Sequence, residues 1–183
     1  MNNPFNDKKN LAVAQAVKAI IEQDIGSPAL PSILSDKELL IKEMKRILAD
    51  TVVLYFKAHT YHWNVVGSNF PQYHAFFDTV YTEIYGMIDP TAEHIRSLGE
   101  FAPVSLRNVL DLAYVQENQG LSTSAEMFDI MITNNRQMIG CLKEGIRLAN
   151  IANEDGVSNF LQDRLDKHNK LDWQLKSTAK GLL

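Results

Sequence analysis

Eight residues alternate spacings of four and three along the first half of the chain: Leu40, Met44, Ile47, Thr51, Leu54, Ala58, Tyr61 and Val65. That rhythm is one stripe of an α-helix about eight turns long, and a stripe so regular has to be buried against other helices. A start signal precedes it, because Ser35-Asp36-Lys37-Glu38 has the form of a capping box. The helix is expected to end near Gly67. The same rhythm resumes as Tyr73, Phe77, Val80, Ile84, Met87, Thr91, Ile95 and Leu98, after Asn69-Phe70-Pro71 as a start and before Gly99 as a stop. This second seam predicts one helix of about 28 residues. Pro90 lies inside it, removes the hydrogen bond to Gly86 and is expected to kink it there.

A short helical piece, Ser105 to Val115, and a polar link, Gln116 to Ser122, are long enough together to cross the length of a bundle. Thr123-Ser124-Ala125-Glu126 is a second capping box, followed by Met127, Met131, Met138, Leu142, Ile146 and Ala149. Asp155-Gly156 is read as the break before a last helix carrying Phe160, Leu161, Leu165, Leu171 and Leu175. No segment sustains the alternation of a strand. The fold class is therefore all-α. Four long helices, short links at both ends and one long middle connection containing a short helix match the ferritin-like four-helix bundle. Residues 35–183 are assigned to that bundle and residues 1–34 to an N-terminal arm with a breaker run at Gly26, Ser27, Pro28 and Pro31.

Composition narrows the functions. With 183 residues the chain suits one domain, and neither a signal peptide nor a membrane span is found near its start. A cytoplasmic or nucleoid-associated protein is expected. The single cysteine, Cys141, excludes an internal disulfide framework or a thiolate metal cluster and is read as a buried, inert thiol. A net charge of −4 leaves no basic footprint for nucleic acid, so any DNA contact is expected to be weak and to come from Lys8, Lys9 and Lys18 on the arm.

A second stripe runs along the second helix beside its apolar seam: His74, Asp78, Tyr81, Tyr85, Asp89 and Glu93. Imidazoles and carboxylates together form a ligand set for iron or another first-row metal. Asp89 and Glu93 are one turn apart and suit a shared ion, and His62 adds an imidazole from the end of the first helix. His74 and Glu93 are separated by nineteen residues, roughly 28 Å along a continuous helix, whereas ligands sit roughly 2 to 2.5 Å from their ion. One chain cannot close such a site. Two copies packed antiparallel about a two-fold axis would lay His62, His74 and Asp78 of one over Asp89 and Glu93 of the other, twice. The arrangement within a single bundle, which uses Glu-x-x-His, is excluded because the chain contains no such tetrapeptide.

The run His62-Trp63-Asn64-Val65, then Gly67, Phe70, His74, Asp78, Asp89, Ala92-Glu93 and Leu98-Gly99, resembles the signature of the Dps family of mini-ferritins, DNA-binding proteins from starved cells. More weakly, the resemblance continues through Arg164, His168, Lys170 and Trp173. It implies a dodecameric homo-oligomer that oxidises Fe²⁺ with hydrogen peroxide or oxygen at dinuclear ferroxidase sites on dimer interfaces. The ferric mineral would be stored inside, protecting DNA under oxidative stress. His62 and His74 would be metal ligands from one subunit and Asp89 and Glu93 from its partner, with Asp78 as a nearby acid for the second iron or a bridging water. Trp63 would supply an electron to oxidising intermediates. His94 stands where the family usually has arginine, so the family's interface salt bridges do not transfer directly. The alternative reading is a nucleic-acid-compacting or structural shell with degenerate metal sites.

Overall fold

The computed structural model describes residues 34–118 and 120–180, so the expected arm lies outside the described residues except for Leu34. Among these residues six helices follow in order: α1 (Asp36–Asn64), α2 (Phe70–Tyr85), α3 (Ile88–Ser97), α4 (Leu106–Leu112), α5 (Ser124–Ile151) and α6 (Asp155–Ala179). There is no strand among the described residues. Both capping boxes form as the sequence predicts. The Ser35 and Thr123 hydroxyls accept from the backbone N–H of Glu38 and Glu126, whose carboxylates reach back to the cap N–H groups at 2.8 and 2.7 Å.

All eight residues of the first seam are buried, as are all eight of the second. Apart from Thr51, Met87 and Thr91, they meet Met127, Met131, Met138 and Leu142 of α5 and Leu161, Leu171 and Leu175 of α6 in one core. At Gly145 of α5 an added Cβ would come within 2.9 Å of both Ile47 and Leu161, so a glycine lets three helices close on one point.

Two sequence expectations are corrected. The second long helix is not continuous: Gly86 and Met87 form a turn between α2 and α3. Pro90 lacks the N–H that would have closed the turn on the Gly86 carbonyl, so the interruption falls four residues before the proline and Pro90 itself sits in the first turn of α3. The interruption preserves the seam, because Ile84, Met87 and Thr91 keep the three-then-four spacing and stay buried. Asp155-Gly156, read as a break, instead opens α6. The turn is Ala152-Asn153-Glu154, with Asn153 in the left-handed region at φ 56°, a conformation asparagine tolerates better than most side chains. The short helix spans Leu106–Leu112, inside the expected Ser105 to Val115.

The long connection runs the length of the bundle. Glu100 pairs with Lys45 near the start of α1 at 3.0 Å, whereas Ser124 donates to the Val66 carbonyl beyond the end of α1 at 2.7 Å. Polar residues of α1 hold the chain between. Asp50 accepts from the backbone N–H of Tyr114 and Val115 at 2.6 and 2.8 Å, Lys57 donates to the Gln116 carbonyl at 2.7 Å and Tyr61 to Asn118 at 3.1 Å. Burial pushes the Lys57 ammonium down to about 8. Asp50 and Lys57 interrupt an apolar stretch of sequence, which was the available sign that they serve the interior.

Candidate metal centre

The end of α1 and the start of α2 meet at the two histidines. His62 Nδ1 lies 2.8 Å from the His74 carbonyl oxygen, and His74 Nδ1 lies 2.8 Å from the His62 carbonyl oxygen. A carbonyl only accepts, so each Nδ1 carries the proton and each Nε2 is left with a lone pair. The rings stack with centroids 3.7 Å apart. Such an outer hydrogen bond fixes tautomer and ring orientation in histidines that bind metals. Spacing of ligands in the sequence brings the pair to notice, but this reciprocal lock depends on two backbones meeting in space.

One turn on from His74, Asp78 is exposed and accepts from the Tyr81 hydroxyl at 2.6 Å, which raises the Tyr81 phenol above its usual range. Tyr81 stacks on His59 at 4.0 Å, and His59 in turn packs against Trp63 at 4.3 Å and holds the Tyr55 hydroxyl 3.1 Å from its Nδ1. His59 is therefore the hub of an aromatic cluster against the histidine pair. Trp63 is 56% exposed, and Phe56, Phe70 and Tyr85 are exposed with it.

Asp89 and Glu93 are on α3, exposed and one turn apart, beyond the Gly86–Met87 turn. The straight 28 Å rise expected between His74 and Glu93 does not apply across that turn. Within one chain, no three His, Cys, Asp or Glu side chains come together around a point among the described residues. The chain thus offers two separate half-sets: an imidazole pair with Asp78, and a carboxylate pair.

Other polar groups lie deep in the bundle. Arg164 of α6 is 1% exposed, donates at 2.8 Å to the hydroxyls of both Thr51 and Thr91, and has its guanidinium pushed down to about 10 by burial. His168, one turn on, pairs with Asn135 at 2.7 Å, and burial followed by the Arg164 charge pushes it down to about 3. Cys141 is buried near Asp50, and burial pushes its thiol up to about 12, which makes it inert.

A bundle of this topology, with a histidine pair at one helix junction and paired carboxylates on the next segment, belongs to the ferritin-like class. A ferritin-like domain model matches residues 41–182. The chain is 34% identical over 137 residues to the DNA protection during starvation protein of Brevibacillus brevis, covering 73% of this chain and 92% of that one. The crystal structure of a Dps protein from Bacillus brevis superposes with a TM-score of 0.76 at 32% identity, over 80% of this chain and 98% of that chain. Dps from Thermosynechococcus elongatus superposes with a TM-score of 0.77 at 27% identity, over 78% of this chain and 91% of that one. The chain belongs to the Dps family of ferritin-like proteins.

Proposed function

We propose that this protein stores iron and protects DNA by oxidising Fe²⁺ at dinuclear sites shared between two copies of the chain and retaining the ferric product inside a dodecameric shell. The observation that carries the reading is the reciprocal hydrogen bonding of His62 and His74, which leaves an Nε2 lone pair on each half-buried imidazole. Neutral imidazole and carboxylate suit iron. In this reading His62 and His74 of one subunit, with Asp78 beside them, face Asp89 and Glu93 of the partner subunit. Exposed aromatics around the histidines support a protein partner over this face, since contiguous apolar surface on a soluble chain marks an interaction site.

Each Fe²⁺ gives up one electron. Hydrogen peroxide takes two, so two Fe²⁺, one peroxide and two protons yield two Fe³⁺ and two waters without releasing a radical. Oxygen is the alternative oxidant. Trp63, an oxidisable ring about one helical turn from His59 and beside His62, supplies an electron when only one iron is present. DNA contact is weak, because the net charge is −4.

Anaerobic titration with Fe²⁺ followed by peroxide tests the reading. The expected result is saturable binding before oxidant is added and consumption of one peroxide for every two Fe²⁺. Assembly into a shell without any saturable Fe²⁺ binding would instead support the structural, nucleic-acid-compacting alternative.

A further inference from the structure

Helix α3 carries Asp89 and Glu93 but is not held in place by helical continuity, because the Gly86–Met87 turn separates it from α2. It is ten residues long. The Asp89 and Glu93 side chains make no hydrogen bond or ion pair among the described residues, so the rotation of α3 is set by its other contacts: Ile95 and Leu98 in the core, His94 against the Phe160 ring of α6 at 4.3 Å, and Thr91. Thr91 lies two residues from each of them, about 200° round the helix, and so faces inward while they face out. Its hydroxyl donates to the Met87 carbonyl at the turn and accepts from Arg164. The other end of the guanidinium is anchored on α1, where Thr51 accepts from it while donating to the Ile47 carbonyl at 2.6 Å.

We infer that Arg164 is a positioning residue for the carboxylate half of the metal site, acting through Thr91 to set the rotation and height of α3 against α1. A buried guanidinium whose hydrogen-bond partners among the described residues are two neutral hydroxyls, with the Phe160 ring 5.9 Å away, is a poor way to stabilise a core, since an apolar side chain of similar volume commonly does as well or better. What the guanidinium supplies is a planar fork that fixes two helices at one separation. This inference rests on the metal-site reading proposed above.

The test measures Co²⁺ and anaerobic Fe²⁺ affinity in the assembled protein together with the thermal midpoint. Thr91→Val keeps the shape of the side chain and removes the acceptor; it is expected to weaken metal affinity five-fold or more and to change the Co²⁺ absorption envelope, while Thr91→Ser stays within two-fold of the parent. Asn135→Leu, which breaks the equally buried His168 pair without touching α3, is expected to lower the midpoint and leave affinity unchanged. Should Thr91→Val fail to fold, the triple variant Arg164→Met/Thr51→Val/Thr91→Val leaves no polar group orphaned; it is expected to keep its midpoint and lose the same affinity. Parental affinity in the folded Thr91→Val or triple variant would overturn the positioning role alone, as would equal weakening by Asn135→Leu. Absence of saturable metal binding in the parent protein would overturn the metal-site reading, and the positioning role with it.

Discussion

At the residue scale, the chemistry depends on which nitrogen of each histidine holds its proton. The carbonyls of His62 and His74 settle that for each other, and no other side chain is needed. His168 shows the opposite use of the same residue. It is 1% exposed and bonded to Asn135, and burial with the Arg164 charge holds it near 3, far below the ordinary value of 6.5. A base depressed in this way is neutral in the folded protein from pH 8 down to about 4. Below about 6.5 the unfolded chain takes up a proton that the folded chain refuses, so stability is lost as pH falls from about 6.5 towards 3, by at most about 1.4 kcal/mol for each pH unit. His168→Gln is expected to flatten that part of the profile, read as urea midpoints between pH 4 and 8 against the parent protein. An unchanged slope would show that His168 is not the group responsible.

At the element scale, the sequence carries most of what the structure shows, and the exceptions have physical causes. The two capping boxes are local in sequence and are found where Ser35 and Thr123 put them. Because Thr123 satisfies an otherwise free N–H at the start of α5, Thr123→Ala is expected to lower stability by about 1 kcal/mol, and Thr123→Ser to change it little, measured by chemical denaturation. The seams are equally local and all sixteen positions are buried. The division of the second helix into α2 and α3 was harder to read, because Pro90 can either bend a helix or begin one. Gly86, with no side chain to pack, favours the second outcome. Asp155-Gly156 misled for a related reason, since aspartate suits a first helical turn as well as a loop. The grips of Asp50 on Tyr114 and Val115 and of Lys57 on Gln116 were not legible, because the partners are more than fifty residues away.

At the scale of the whole molecule, the candidate ligands stand in two half-sets on different segments among the described residues, and in the proposed reading a second copy of the chain brings the complementary half-set to each. The candidate residues were legible because ligand types recur at helical spacing. What would join them across subunits is a matter of symmetry, which a single sequence suggests only through distance. If the site is shared, damage to either half disables both sites of a homodimer, and the two kinds of damage complement each other in a mixed dimer. His74→Ala alone and Glu93→Ala alone are each expected to abolish most ferroxidase activity. When shells of the two variants are dissociated, mixed and reassembled, each mixed dimer has one site with both defects and one in which His62 and His74 of the Glu93→Ala chain meet Asp89 and Glu93 of the His74→Ala chain. Activity per mixed dimer should recover to about half that of the parent protein. Co-assembled chains, shown by mass spectrometry to have mixed, that remain as inactive as either variant alone would contradict a site shared between subunits.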